Sequence, residues 1–173
     1  MARGVTTVYL GLGSNLGDRA GLLAAAVAEL CGRGIVHGAC LSPIYETDPD
    51  TPDAQPPYLN AVVRGQTDLR PEPLLVACLK VEADLGRVRP HDRAKAARTM
   101  DIDVLLYGEG GEDVVATPTL TVPHPALLDR PFVLIPLADV ATPGLRHPIT
   151  GVSLNSAASS STVRALVPRE HEG

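Results

Sequence analysis

The chain has 173 residues, enough to bury a proper hydrophobic core, and we expect residues 1–173 to form a single domain. Its formal net charge of -5 argues against general nucleic-acid binding, and it has no apolar run of membrane-spanning length. The three cysteines form no Cys-x-x-Cys pair, which favours a reducing compartment, so we expect a cytoplasmic protein without disulfides.

The first part of the chain predicts a strand, a helix and a second strand. Residues 5–10 are an apolar run typical of a buried strand, and the glycine-rich turn 11–18 follows it. The turn lacks the Gly-Lys-Ser/Thr ending of a P-loop, so a turn before a helix capped by Asn15 or Asp18 is the better interpretation. Apolar residues at helical spacing follow, and residues 35–45 predict the second strand.

The middle of the chain predicts a proline-rich loop, a third strand and a second helix. The strand at residues 58–63 places Tyr58 and Asn60 on one face, which suits a flat hydrogen-bonding ligand, although a solvated sheet face explains the spacing equally well. The helix at residues 71–85 buries an apolar stripe. Glu82 lies off that stripe, and we expect it to face solvent.

Two aspartates begin the next predicted strand, which runs to residue 107. Asp101 and Asp103 share one face of it, and Ile102, Val104 and Leu106 are expected on the other. Two carboxylates roughly 6 Å apart repel by about 3 kcal/mol at an effective dielectric of about 20, so a cation is expected beside them. The preceding segment 87–98 carries five Arg or Lys residues against one Asp. Together these features suggest a polyphosphate held through Mg²⁺.

The last part of the chain gives weaker signals. Residues 113–115 and 120–122 predict short extended pieces, residues 133–140 predict a helix or a strand, and residues 156–173 predict a polar tail that is frayed over its last part, 168–173. The order strand, helix, strand, strand, helix, strand is typical of a ferredoxin-like (split βαβ) α+β fold. We therefore expect a mostly antiparallel sheet with both helices packed on one face and long active-site loops.

Six stretches, spread in order over about residues 5–140, resemble the 6-hydroxymethyl-7,8-dihydropterin pyrophosphokinase family of folate biosynthesis. They are Tyr9-Leu10-Gly11-Leu12-Gly13-Ser14-Asn15-Leu16-Gly17, Tyr45-Glu46-Thr47-Asp48-Pro49, Gln55-Pro56-Pro57-Tyr58-Leu59-Asn60-Ala61-Val62, Glu82 with Leu85-Gly86-Arg87-Val88-Arg89, Arg98-Thr99-Met100-Asp101-Ile102-Asp103, and Leu120-Thr121-Val122-Pro123-His124-Pro125 with Arg130-Pro131-Phe132.

The resemblance implies transfer of the pyrophosphoryl group of ATP to the hydroxymethyl group of the pterin, giving AMP and the pterin diphosphate. It implies that Asp101 and Asp103 bind two Mg²⁺ ions and that Arg87 and Arg98 clamp the ATP phosphates. Further ATP contacts are implied for three residues, Thr121, His124 and Arg130. The implied pterin-binding residues are Thr47, Tyr58, Asn60 and Phe132. We expect a monomer with small-molecule substrates and with no nucleic-acid or membrane partner.

One departure concerns the segment before Arg98. Many family members have Trp-Gly-Pro there, and this chain has Lys95-Ala96-Ala97. It therefore lacks the loop aromatic that can cover the pterin. We make no prediction of which residues in the segment 89–97 contact substrate.

Two other functions are compatible with part of the pattern. An Asp-x-Asp pair also binds the metal of nucleotide-binding transferases that act on nucleotide sugars, but that function leaves Tyr58, Asn60 and Phe132 unexplained. A non-catalytic nucleic-acid module on a ferredoxin-like sheet would need exposed aromatics, and the chain is poor in aromatics and acidic. Removing both aspartates distinguishes these functions, because it should abolish pterin diphosphate formation if the resemblance holds and should leave or improve binding if the chain is a nucleic-acid module.

Overall fold

The fold is an α+β arrangement built on a mostly antiparallel sheet. The computed structural model describes residues 4–47, 56–86, 100–156 and 164–165. Within them the elements are β1 (Thr6–Ser14), α1 (Arg19–Gly32), β2 (His37–Leu41), β3 (Tyr45–Thr47), β4 (Tyr58–Thr67), α2 (Pro71–Asp84), β5 (Asp101–Tyr107), β6 (Val115–Ala116), β7 (Thr121–Val122), a 3₁₀ turn (Leu127–Asp129), α3 (Pro131–Val140) and β8 (Arg164–Ala165).

The main sheet has the strand order β5-β1-β4-β3-β8, and β2 also pairs with β4. All of these pairings are antiparallel. β6 and β7 form a separate antiparallel pair. β1 and β4 therefore form the centre of the sheet, and β5 lies at one edge of it.

Helices α1 and α2 cover one face of the sheet, as expected from the sequence. Each buries residues at helical spacing, such as Leu23, Ala26 and Leu30 on α1, and these pack with sheet residues including Leu10 and Val63. The Asp18 carboxylate accepts a hydrogen bond from the Gly21 N–H at 3.2 Å, which caps the first turn of α1. On α2 the buried residues are Leu74, Cys78, Val81 and Glu82.

The opposite face of the sheet is covered by α3. The sequence left a helix and a strand open for residues 133–140, and the structure forms a helix whose first residue is Pro131. Its apolar residues form a second core layer with Tyr9, Val62 and Leu106. The Arg64 guanidinium donates to the Val140 carbonyl at 2.9 Å and fixes the end of the helix to β4.

The expected strand at residues 35–45 is wrong as one element, because it is divided into β2 and β3. Pro43 lies between them and has no N–H to donate to a ladder. The Ser42 hydroxyl instead accepts a hydrogen bond from the Val62 N–H at 2.9 Å, so the interrupted segment stays attached to β4.

The expectation for Leu106 is also wrong. The register between β1 and β5 shifts, since Leu10 pairs with Val104 and Tyr9 pairs with Leu106. The extra residue, Leu105, is a β-bulge, so Leu106 joins the α3 layer, whereas Val104 faces α1 and α2. Hydrophobic alternation alone gives no sign of such an insertion.

Two residues of the expected polar tail, Arg164 and Ala165, form β8 against β3. The rest of that tail beyond residue 156 lies outside the described residues, as does most of the proline-rich loop. No helix in the described part of the chain has the length and apolarity needed to cross a membrane.

The α2 helix allows a matched test of its buried face. Val81 is 0% exposed and Val76 is 64% exposed, and both lie in the helix interior. Val81→Ala should lower the free energy of unfolding by about 2 kcal/mol, since it deletes two methyl groups from a close-packed core. The same substitution at residue 76 should change it by less than about 0.5 kcal/mol. Urea denaturation measures both, and equal losses would contradict the assigned helix face.

Candidate active site

Asp101 and Asp103 occupy the start of the edge strand β5. Asp101 lies opposite Gly13 of β1, which in turn lies opposite Asn60 of β4. Directly opposed residues project from the same face of a sheet, so Asp101, Gly13 and Asn60 form one row. The row crosses two strand spacings, roughly 10 Å between its end residues. It lies on the α3 side of the sheet, because alternate residues of β1 and β4 face α1 and α2.

Two glycines of β1 leave the surface between the carboxylates and Asn60 without side chains. A Cβ atom built at Gly13 would lie 3.3 Å from Asn60 Oδ1, and one at Gly11, opposite Asp103, would lie 3.4 Å from Leu105 Cδ1. Both are tight contacts at the floor of the site. Residues 11–14, which the sequence analysis interpreted as part of a turn, belong instead to β1, and the two glycines leave room for the side chains of Leu105 and Asn60 on this face.

Thr47 and Asn60 lie together at one end of this floor. The Asn60 side chain is 7% exposed, and its Nδ2 donates a hydrogen bond to Thr47 Oγ1 at 2.7 Å. That bond directs the amide oxygen toward Gly13, where it can accept a hydrogen bond. Tyr58 is half-buried and precedes Asn60 by two residues on the same strand. The structure thus brings together three of the residues predicted for the pterin.

Two further residues hold the chain that enters β4. The buried Asn15 donates from Nδ2 to the Pro56 carbonyl at 3.3 Å. Arg19 donates to the Pro57 carbonyl at 2.8 Å and forms a salt bridge with Glu46 at 3.4 Å. Asn15 was considered only as a helix cap, and Arg19 was not singled out, because such bonds between distant segments leave no local sequence signal.

His124 lies beside the outer edge of β5, where its backbone N–H donates to the Leu105 carbonyl at 3.0 Å. The cis peptide bond Val122–Pro123 precedes it. Its ring Nδ1 accepts a hydrogen bond from the Ala126 N–H at 3.2 Å, so the neutral ring carries its proton on Nε2. Burial lowers the pKa of His124, and the nearby Arg130 cation lowers it further, whereas the Asp101 carboxylate raises it. These three predicted residues are therefore electrostatically coupled.

Phe132 is the second residue of α3 and packs, partly buried, against the second core layer. The Arg130 guanidinium lies 5.7 Å from the centroid of its ring, within reach of a cation–π interaction. Thr121 is exposed on β7, next to the buried Val122. Arg87 and Arg98 lie outside the described residues, so their predicted positions are not tested.

The expectation that Glu82 faces solvent is wrong. Its side chain is 2% exposed, and Oε1 accepts a hydrogen bond from the Ile102 N–H at 2.7 Å. Burial, together with the negative charges of Glu82 and Asp103, raises the pKa of the neighbouring Cys78 thiol to about 12. The spacing could have indicated this position, because Glu82 follows the buried Cys78 by four residues and so lies on the same helix face.

The described residues contain no group of three or more His, Cys, Asp or Glu side chains that could hold a metal ion. The Asp101–Asp103 pair alone offers two carboxylates, which are ligands suited to Mg²⁺. A Mg²⁺ ion often takes one or two carboxylates and fills its other positions with water and phosphate oxygens, so the pair is compatible with such an ion.

Comparisons with known proteins agree on one family. The sequence model described as 7,8-dihydro-6-hydroxymethylpterin-pyrophosphokinase (HPPK) matches residues 9–142. The 2-amino-4-hydroxy-6-hydroxymethyldihydropteridine pyrophosphokinase of Methylorubrum extorquens is 44% identical over 137 residues, covering 79% of this chain and 84% of that protein. The protein of the same name from Bacillus subtilis is 41% identical over 132 residues, covering 76% of each.

Solved structures show the same fold at low identity. A crystal structure of Plasmodium falciparum HPPK-DHPS with pteroate has a TM-score of 0.67 and 14% identity, and the match covers 90% of this chain. The chain spans less than half of that longer protein, 42% of its length. Sequence and structure together place the chain among the pyrophosphokinases. It belongs to the 7,8-dihydro-6-hydroxymethylpterin-pyrophosphokinase family.

The environment of His124 predicts how its titration responds to its neighbours. The pKa of His124 should lie below the value of a free histidine. It should fall further in Asp101→Asn, which removes a negative charge that raises it, and should rise in Arg130→Gln, which removes a positive charge that lowers it. Long-range ¹H–¹⁵N correlation spectra of the ligand-free protein, recorded through a pH titration, give the midpoint and the protonated nitrogen. A proton on Nδ1 at neutral pH, or shifts of the opposite sign, would contradict the described geometry.

Proposed function

We propose that this chain transfers the pyrophosphoryl group of ATP to the hydroxymethyl group of 6-hydroxymethyl-7,8-dihydropterin, giving AMP and the pterin diphosphate, a step of folate biosynthesis. Family membership supports the reaction. The single structural observation that carries the proposal is the row Asp101–Gly13–Asn60, which puts a carboxylate pair and an oriented amide on one open face.

The ATP phosphates bind at the carboxylate end of this row. Asp101 and Asp103 are partly exposed on one face, and their two carboxylates are oxygen ligands that would suit Mg²⁺ ions bound together with the nucleotide. When bound there, such ions would neutralise phosphate charge and so would favour the departure of AMP. The protein holds the two carboxylates in place before the nucleotide arrives, so little reorganisation remains at the moment of reaction.

Several nitrogen donors complete the nucleotide site. His124 is held with Nε2–H free of the Ala126 contact, and Arg130 lies close enough to lower the pKa of that ring. We assign both residues to the nucleotide, with Thr121 nearby on β7. Arg87 and Arg98 are assigned to the phosphates from their place in the basic segment, because the guanidinium fork binds phosphate oxygens in pairs.

The pterin binds at the amide end of the row. Asn60 Oδ1 accepts an N–H of the ring, and the Thr47 hydroxyl fixes the orientation of that amide. Tyr58 and Phe132 supply the apolar surfaces around the flat ring, and Phe132 stacks on it. The glycine floor lets the ring lie against the sheet between the amide and the carboxylates.

Reaction then depends on alignment more than on covalent catalysis. The pterin hydroxymethyl oxygen forms a bond to the β-phosphorus while the bond from that phosphorus to the oxygen of AMP breaks, and the hydroxyl proton is released. Because both substrates are held on one rigid sheet, their bimolecular reaction becomes an effectively unimolecular displacement. Exclusion of water from the β-phosphorus prevents wasteful hydrolysis of ATP.

The finer features of the fold and assembly belong to the same proposal. The strand order, the antiparallel pairing and the placement of α1 and α2 on one face support a ferredoxin-like sheet. We assign residues 1–173 to one domain that acts as a monomer on small-molecule substrates, without nucleic-acid or membrane partners. The cytoplasmic location stays a prediction from the cysteine pattern.

Replacing either aspartate tests the proposed reaction. Asp101→Asn and Asp103→Asn should each lower kcat for AMP formation by about 10²- to 10⁴-fold, because they remove a charged metal ligand at nearly constant side-chain volume. The matched control is Glu109→Gln, an exposed carboxylate just beyond the same strand. Rates like those of the wild type in both aspartate variants, or an equal loss in the control, would contradict the assignment.

The amide end of the row is tested separately through the pterin. Asn60→Ala should raise KM for the pterin by about 10- to 10²-fold, since it leaves a buried polar group of the ligand unpaired. Thr47→Val removes the bond that orients the Asn60 amide and should cause a smaller rise. Steady-state kinetics with saturating ATP measure both variants. A change in KM for ATP instead of the pterin would contradict the placement of the two substrates.

A further inference from the structure

The structure assigns a positioning role to Glu82, whose carboxylate fixes the backbone between Asp101 and Asp103 and so sets the geometry of the carboxylate pair. The inference rests on the proposed function, because it treats the pair as the metal and phosphate site. It concerns a residue for which the sequence analysis gave no role.

The first argument is the position of the accepting atom. Glu82 Oε1 accepts the N–H of Ile102 at 2.7 Å, and Ile102 separates the two aspartates. Successive N–H groups of a strand point to opposite sides, so the outward N–H of Ile102 lies on the edge of β5 that has no strand beside it in the described sheet. Pairing with β1 holds one side of this segment, and Glu82 holds the other.

Burying the Glu82 carboxylate has a cost in free energy. Glu82 is 2% exposed on the α2 helix, which contacts β5, and the buried apolar residues of this helix share a core layer with Ile102 and Val104. Burial of a carboxylate is unfavourable unless hydrogen bonds compensate for lost hydration, and an apolar residue of similar size would often stabilise such a site better. A carboxylate here is therefore explained by what it holds and not by packing.

The hydrogen bond between Glu82 and Ile102 is coupled to the directions of the aspartate side chains. Asp101 and Asp103 project from the residues on either side of Ile102, so a rotation of the Ile102 peptide plane would move both Cα–Cβ directions. Backbone pairing fixes Gly13 and Gly11 opposite them, but neither glycine supplies a side chain that could brace the carboxylates. The hydrogen bond from Glu82 of α2 therefore restrains the backbone of this segment from its outer side.

The test compares two changes at Glu82 with a matched control on the same helix. Glu82→Met removes the acceptor at similar length, and Glu82→Gln keeps an oxygen that can accept the Ile102 N–H. Cys78→Ala removes a fully buried side chain one turn earlier and keeps the Glu82 carboxylate that accepts the Ile102 N–H. The probe is Mn²⁺ in the presence of α,β-methylene-ATP, with free Mn²⁺ measured by electron paramagnetic resonance.

Glu82→Met should weaken Mn²⁺ binding by about 10- to 10²-fold, as is usual when a residue that orients metal ligands is lost. Glu82→Gln should stay within about fivefold of the wild type, because it keeps the hydrogen bond and loses only a charge. Cys78→Ala should lower thermal stability and leave Mn²⁺ affinity unchanged. The amide proton of Ile102, followed by NMR without metal, should exchange faster in Glu82→Met and remain protected in Glu82→Gln.

Three results would overturn the inference. They are Mn²⁺ affinity in Glu82→Met equal to that of the wild type, equal losses in the Met and Gln variants, and a loss in Cys78→Ala as large as in Glu82→Met. Asp101→Asn separates this failure from failure of the proposed function. Binding lost in Asp101→Asn but kept in Glu82→Met overturns only the role of Glu82. Binding unchanged in Asp101→Asn overturns the proposed metal site and the inference with it.

Discussion

Repulsion between two carboxylates on one face of an edge strand is the constraint on which the site depends. Asp101 and Asp103 are two residues apart on β5, and nothing in the packing of a core favours that arrangement. The sheet maintains it by pairing with β1 on one side and through the Glu82 hydrogen bond on the other. A cation bound between the two carboxylates would relieve this repulsion, and that is the role the proposed function gives to the metal ions.

The two core layers differ in their roles: one mainly stabilises the fold, and the other lies beside the proposed site. Helices α1 and α2 bury the apolar alternate residues of the central strands, so the face they cover is a continuous core. The opposite face is covered only in part, by α3, and its uncovered portion carries Gly11 and Gly13 between the carboxylates and Asn60. Because one rigid sheet carries both ends of the site, the separation between the proposed nucleotide and pterin positions is fixed by strand spacing.

Local patterns predicted most of the fold, and tertiary contacts account for the differences. Helical spacing and end signals located α1 and α2, and alternation located β4 and the shared face of Asp101 and Asp103. The bulge at Leu105 depends on pairing with a distant strand, which no local pattern reports. The division into β2 and β3, in contrast, has a local cause in Pro43. Glu82 was misplaced because a charged side chain is normally solvated, and its buried acceptor role exists only once α2 packs beside β5.

The most direct measurement of the central claim is the fate of the β-phosphorus of ATP. The protein is incubated with Mg²⁺, 6-hydroxymethyl-7,8-dihydropterin and ATP labelled at the β-phosphorus, and the products are separated. The account predicts unlabelled AMP and labelled pterin diphosphate in equal amounts, with no turnover when the pterin is omitted. Labelled ADP together with a pterin monophosphate would mean transfer of a single phosphoryl group and would contradict the account.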